Sequence, residues 1–230
     1  MKQAHIYLPT LQKISRLTDA IVPAPITAFV GGGGKTSSML MMGTELAQCG
    51  KRTILTTTTR IYPFAEPLPD NLRCVGLPAP DGKLKGVEHP DALKRECDVL
   101  LIEADGSRGL PIKAPAAHEP VLTAQTGLVI AVLGLTGIGR PIAQVCHRPE
   151  HVCEVLSVTP EQCLTPEAAA KLILHENGLR KDVHRRRFAV ILNQADSRRE
   201  KQAGIRIAAC LPDAISCVLT TYREETTCEY

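Results

Sequence analysis

Four consecutive glycines followed by Lys35 and Thr36 are the residues of this chain whose types and spacing suit a chemical task most plainly. The apolar run 26–30 before them reads as a short buried strand, and 37–47 after them reads as a helix. Strand, glycine loop, Lys-Thr and helix is the layout of a phosphate-binding P-loop. Glycines let the backbone curl so that several N–H groups point inward, and the helix start adds its partial positive charge. Lys35 supplies a full charge for β- and γ-phosphates, and the Thr36 hydroxyl suits Mg²⁺. On this reading Gly31, Gly32, Gly33, Gly34, Lys35, Thr36 and Ser37 hold a nucleoside triphosphate. The spacing is shorter than G-x-x-x-x-G-K-[ST], which requires a glycine where this chain has Phe29. The bland alternative is a flexible turn between strand and helix.

Two further motifs come after it in order. The strand-like run 99–102 ends in Glu103-Ala104-Asp105-Gly106, the D-x-x-G spacing of a GTPase switch with Glu at the first acid. Glu103 and Asp105 are therefore candidates, with Thr36, for the Mg²⁺ shell and for orienting an attacking water. The alternative is a strand that ends in a solvated acidic turn. The run 187–192 ends in Asn193-Gln194-Ala195-Asp196, close to the N-K-x-D of many GTPases. There the aspartate pairs with guanine N1 and N2, a pattern adenine does not offer. Asn193 and Asp196 are thus candidate base readers, although Gln194 is shorter than the usual Lys, and Asn and Asp after a strand also serve as turn or cap residues.

These residues need a frame to position them. The chain has 230 residues, 44% of them hydrophobic and 3% aromatic, so its core must be aliphatic. A net charge of +3 is no nucleic-acid signature, and the basic run 180–187 reads as a solvated strand approach or a docking aid for an anion. No apolar run reaches the roughly 18 residues of a membrane span. Residues 1–10 lack a signal core, and nine dispersed cysteines, Cys228 the last, form no C-x-x-C. That is the pattern of reduced thiols in a cytoplasmic protein. Cys146, His147, His151 and Cys153 match no common zinc spacing, which leaves ordinary packing as their main reading.

The expected fold class is α/β: a three-layer, P-loop NTPase-like single domain over 1–230, mostly parallel, with helices on both faces. Leu8, Leu11, Ile14 and Leu17 stripe an N-terminal amphipathic helix. Residues 60–97 break the rhythm, with Asp81-Gly82 turning a hairpin insertion between 73–77 and 83–87. Residues 103–126 read as a loop, 128–133 as a strand, 149–179 as a helical stretch, 198–210 as a helix and 214–219 as the last strand.

The glycine loop, the threonines 56–59, the Glu103–Ser107 block and the run 113–120 (K-A-P-A-A-H-E-P) resemble the YqeC-type selenium-dependent hydroxylase accessory proteins. So do residues 147–150, 164–167 and 192–196, and the likeness runs from about 20 to 220. The resemblance implies a nucleotide-dependent factor in the maturation of molybdenum-containing hydroxylases, with such a hydroxylase or its cofactor-loading machinery as partner. It departs at Gln194, where the family commonly has Lys, and at Ser37, where it often has Thr. It also makes 103–120 a switch or substrate loop, because open α/β sheets bind ligands at the carboxyl ends of their strands. Arg108, Lys113 and His118 join Lys35, Glu103 and Asp105 as catalytic candidates there, with His147-Arg148 reaching the same rim.

Three functional classes stay open at this level. One is an Mg²⁺-dependent nucleoside triphosphatase, GTP favoured over ATP, serving hydroxylase assembly. By analogy with P-loop assembly GTPases it would be a homodimer, with neither nucleic acid nor membrane as partner. Another is an ATP-dependent ligase or kinase with a Mur-like loop. The last is a nucleotide-binding scaffold or regulator without turnover.

Overall fold

The computed structural model describes residues 4–64 and 67–222, so Cys228 and the first three residues lie outside it. Fourteen strands are present among the described residues: β1 His5–Tyr7, β2 Lys13–Ile14, β3 Ile26–Gly31, β4 Thr53–Thr57, β5 Arg60–Ile61, β6 Leu72–Cys74 and β7 Leu77–Pro78 in the first half. The second half supplies β8 Leu84–Lys85, β9 Val99–Glu103, β10 Ile112–Lys113, β11 Leu128–Gly134, β12 Cys146–His147, β13 Arg187–Asn193 and β14 Ser216–Thr221. The helices are α1 Leu17–Ala20, α2 Lys35–Gln48, α3 Ile142–Val145, α4 Pro149–Leu156, α5 Pro166–Leu174 and α6 Arg198–Ala209.

Nine strands form the main sheet, in the order β2-β1-β14-β13-β11-β3-β9-β4-β6. Every pairing from β14 to β6 is parallel, and β1 and β2 add an antiparallel edge. The central strands are buried on both faces and read as continuous aliphatic runs: Leu128–Gly134 is buried at all seven positions. Alternate residues feed two cores. Val30, Ala131, Leu133 and Leu192 face α4, α5 and α6, whereas Phe29, Ile130, Val132 and Ile191 face α1 and α2. Helices therefore cover both faces of a mostly parallel sheet, which is α/β architecture.

Several expectations fail for local reasons. The stripe Leu8, Leu11, Ile14 and Leu17 is no helix: residues 5–14 form the β1–β2 hairpin, and Leu11 sits at φ 62° and is exposed. Pro9 disfavours helical backbone at Leu8, and β1 gains a partner in β14, with Tyr7 opposite Leu219. Residues 72–74 do not begin the insertion hairpin but add β6 to the main sheet beside β4. The hairpin is smaller, β7 and β8 across the Asp81-Gly82 turn, with Gly82 at φ +74° and β5 completing a three-stranded sheet. The stretch 149–179 is two helices, because Thr165 caps a new start at Pro166 by accepting from Ala168 N–H. The supposed loop 103–126 contains β10, which pairs in parallel with β12 so that Lys113 lies opposite His147. Among the described residues no helix is long and apolar enough to cross a membrane.

Candidate functional site

Strands β3, β9, β4 and β13 all end at one edge of the sheet, and the segments leaving those ends meet in a cavity of about 1120 Å³. Its floor is the start of α2. The first bond within that helix is Ser38 N–H to Gly34 O at 3.0 Å, so the N–H groups of Lys35, Thr36 and Ser37 are the donors left open by the helix start. Gly33, Gly34, Lys35, Thr36 and Ser37 line this floor. Glu103, at the end of β9, stands beside it. The Thr36 hydroxyl donates to Glu103 Oε2 at 2.5 Å. Burial pushes the Glu103 carboxyl above its ordinary range, against the opposing pull of Lys35 and of the Thr36 hydroxyl. A buried carboxylate next to a threonine hydroxyl is a hard-oxygen pair of the kind that Mg²⁺ takes together with phosphate oxygens.

The glycine loop is held in a way that the sequence did not foretell. The N–H groups of Gly31, Gly32 and Gly33 do not point into the cavity. Gly31 donates to both Asp105 oxygens (2.9 and 3.2 Å), Gly32 to Val132 O (2.9 Å) and Gly33 to Leu110 O (3.0 Å). Close packing sets this arrangement. A Cβ on Gly31 would lie 2.2 Å from Val132 O, and one on Gly33 2.4 Å from Gly134 Cα. Asn193 holds the last corner, its Nδ2 donating to Gly33 O at 2.7 Å while its Oδ1 accepts from Thr220 Oγ1 at 2.8 Å. Gly34, at φ +122°, leaves no room for a Cβ, which would sit 2.1 Å from Asn193 Nδ2. Gly34→Ala is therefore expected to cost roughly 2–3 kcal/mol of stability, from positive-φ strain and the displaced amide. A urea titration of the variant against the parent measures it.

Asp105 is likewise a holder and not a wall of the cavity. It is buried, accepts from Gly31, and forms ion pairs with Lys35 and Lys113, each at 3.2 Å. Its expected place in the metal shell is thus taken up by the loop. Lys35 turns back toward the same carboxylate and donates to Gly31 O at 2.6 Å. Lys113, expected near a γ-phosphate, is fully buried behind the loop. It donates to Gly106 O (2.7 Å) and pairs with Glu119 (2.7 Å). Glu119 also accepts from Arg148 at 2.5 Å. Burial would raise the Glu119 carboxyl, but Lys113, the Ala116 N–H and Arg148 together bring it down to about 2. Buried charges thus alternate in sign from the cavity inward, Glu103, Lys35, Asp105, Lys113 and Glu119, ending on the partly exposed Arg148.

His118 is exposed and does not line the cavity, so the structure does not bring it to Lys35. Nor do His147 and Arg148 reach the rim: His147 pairs through β12, and Arg148 is spent on Glu119. Burial and the nearby Arg148 hold the His147 imidazole below its ordinary pKa. Cys146 is buried and its thiol is pushed up to about 12, and no group of three His, Cys, Asp or Glu side chains among the described residues is arranged to hold a metal. Asp196 accepts from Thr221 Oγ1 at 2.5 Å and does not line the cavity, whereas Gln194 does. In the basic run, Lys181 donates to the carbonyls of Ala116, Ala117 and Glu119, and Arg186 to those of Thr123, Thr126 and Asp182. These cations fasten loops.

Arg108 lines the cavity, as expected, and the far wall was missed. It comprises Thr58, Thr59, Arg60, Tyr62, Lys83 and Lys85. The run Lys83-Leu84-Lys85 carried the signal: in a strand, alternate residues share a face, so an apolar centre flanked by two lysines presents both to one side. The threonine run folds over β9, with the Thr57 hydroxyl donating to Glu103 O at 3.0 Å, and Gly86 N–H donating to Thr59 O at 3.1 Å ties the hairpin to it.

Comparison with known proteins places these residues in context. A family model described as YqeC protein matches residues 27–150, a span that contains the glycine loop, Glu103, the 113–120 block and Arg148. A protein of Escherichia coli (strain K12) named Uncharacterized protein YqeC is 35% identical over 181 residues, covering 69% of this chain and 71% of its own length. No solved structure matches.

Proposed function

The chain belongs to the YqeC family, and from that premise and the cavity we propose that it is an Mg²⁺-dependent nucleoside triphosphate-binding protein that hydrolyses its nucleotide. The observation that carries this reading is the meeting, at the carboxyl ends of parallel strands, of the open α2 N-terminus with Lys35 and the Thr36–Glu103 pair. The N–H groups of residues 35–37 would bind phosphate oxygens, and Lys35 would swing from Gly31 O toward them. Thr36 and Glu103 would hold Mg²⁺, whose charge neutralises the phosphates when bound. Glu103 would orient the attacking water, and Arg108 at the rim would offset charge that develops on the phosphoryl group. We read the whole chain as one P-loop NTPase-like domain. Service to a selenium-dependent molybdenum hydroxylase rests on the resemblance to accessory proteins, cytoplasmic location on the dispersed cysteines, and a homodimeric state on analogy with P-loop assembly GTPases. Guanine is the base we favour, from the Asn193–Asp196 order alone. Asp196 stands outside the cavity wall, so a bound base would have to draw it from Thr221.

The test is calorimetric titration of GTP and ATP side by side, with and without Mg²⁺. Binding should require Mg²⁺ and favour GTP, and Asp196→Ala should erase that preference. Glu103→Gln should weaken the Mg²⁺-dependent gain about tenfold, since one charged ligand is lost while the fold keeps a hydrogen-bonding side chain. Equal affinity with and without Mg²⁺ would refute the assignment of Thr36 and Glu103, and a preference for ATP would make the N-Q-A-D match accidental.

A further inference from the structure

The cavity is large for a small-molecule site. At about 1120 Å³ it exceeds the roughly 300–1,000 Å³ of ordinary small-molecule sites. It runs from Gln194, after β13, to the three-stranded sheet beyond β4. That span is four strand spacings of the main sheet, roughly 19 Å at about 4.8 Å each, with the glycine loop of β3 in its middle. A nucleotide lying from the Gln194 end onto that loop leaves the far half empty.

That half is cationic out of proportion to its surroundings. Arg60 and Lys85 are paired residues on neighbouring strands of the small sheet, a position where like charges repel. Asp81 answers Arg60, at 3.2 Å. Among the described residues, no carboxylate oxygen lies within 4.0 Å of the Lys83 or Lys85 amine or the Arg108 guanidinium. The hairpin is nevertheless fastened in this place. Gly86 packs so closely on the threonine run that a Cβ there would lie 2.2 Å from Thr57 O. The Lys83 amine rests over the Tyr62 ring, 4.7 Å from its centre, and among the described residues no cation of this group but Arg60 is neutralised by a carboxylate, so an anion in the cavity would supply the missing countercharge.

We propose that the far half of the cavity is a second anion site, which takes a small phosphate-bearing molecule beside the nucleotide. Lys83 and Lys85 supply the charge, and Arg108, on the same cavity lining, keeps its place at the phosphoryl group of the nucleotide. This proposal rests on the nucleotide reading above for its other half. Thr36 and Glu103 lie between the two halves, so the second anion faces the terminal phosphate of the first.

The probe is radiolabelled inorganic pyrophosphate, measured by equilibrium dialysis on full-length protein saturated with Mg²⁺ and nucleotide. The expected result is one pyrophosphate per chain, with Lys83→Ala/Lys85→Ala weakening it at least tenfold while nucleotide affinity stays within about twofold. Both lysines are on the surface hairpin and outside the hydrophobic cores, and a matching urea midpoint confirms the fold. The idea is overturned if nucleotide-loaded protein binds no pyrophosphate, or if the double variant loses nucleotide affinity to the same degree. In the second case the lysines belong to the nucleotide's own site and the nucleotide reading stands. If the parent binds no nucleotide at all, that reading fails separately. Pyrophosphate is then titrated to the free protein, where loss in the lysine variant but not in Lys35→Ala supports the site, and any other pattern overturns it.

Discussion

Lys35→Ala is expected to reduce the affinity for Mg²⁺-nucleoside triphosphate roughly 30- to 150-fold. The magnitude comes from the loss of one charged hydrogen bond to phosphate, about 2–3 kcal/mol. The geometry says why the loss should fall on binding and only mildly on folding. Lys35 donates to Gly31 O and pairs with Asp105. When it is removed, Asp105 still accepts from Gly31 N–H and still faces Lys113 at 3.2 Å, and Glu103, 4.0 Å from the Lys35 amine, keeps the Thr36 hydroxyl. The same would hold during the proposed ligand capture, with Lys35 leaving Asp105 for phosphate while Lys113 stays. Calorimetry on the parent and the variant, with urea midpoints as the control for folding, reads both quantities. A variant that binds as well as the parent would refute the phosphate-binding assignment of the glycine loop.

Lys113→Ala should have the largest effect on stability, about 3–5 kcal/mol. This amine is completely buried between Asp105 and Glu119, and it also caps Gly106 O. Truncation leaves two buried carboxylates sharing what remains of their partners. Lys113→Ala/Glu119→Gln should recover part of the loss, because one of the two charges is removed with its partner. The pH dependence is a second readout. The Glu119 carboxyl falls from an ordinary 4.5 to about 2 in the fold. A depressed carboxyl contributes stability that is complete above the unfolded value and is withdrawn as pH falls toward the folded one. The parent should therefore lose stability between pH 4.5 and about 2, and Lys113→Ala should already have lost most of that contribution at neutral pH. Urea midpoints at pH 7 and pH 3 distinguish the two proteins; equal pH slopes would show that Lys113 does not control Glu119.

Much of this could be read from residue order because the central strands are aliphatic throughout and bounded by polar residues. Val99–Glu103 and Leu128–Gly134 lie within a residue of where their apolar runs place them. The failures came where a partner distant in sequence overrode the local pattern. An amphipathic spacing at residues 8–17 became a hairpin because β14, some two hundred residues away, offered it an edge. Among the site residues, Lys35, Thr36, Glu103 and Arg108 meet in one cavity. Asp105, Lys113 and Asn193 turned out to be the frame behind it, a distinction that depends on which way a side chain leaves a loop. Lys83 and Lys85 were overlooked because no phosphate-binding motif marks an insertion hairpin, although their alternation around Leu84 was in view.

The position of β3 in the sheet has a kinetic consequence. Its neighbours are β9 and β11, and the glycine loop is closed by Leu110, Val132 and, last along the chain, Asn193. No local stretch around residues 31–36 can assemble the loop by itself. Such long loop closures come late and together, as in other folds dominated by contacts between distant residues. A nascent chain that has not yet exposed residue 193 would thus carry the complete Gly-Lys-Thr motif and still be unable to hold it in shape. The loop would take its shape abruptly, once residue 193 has emerged, and not by degrees as the chain grows.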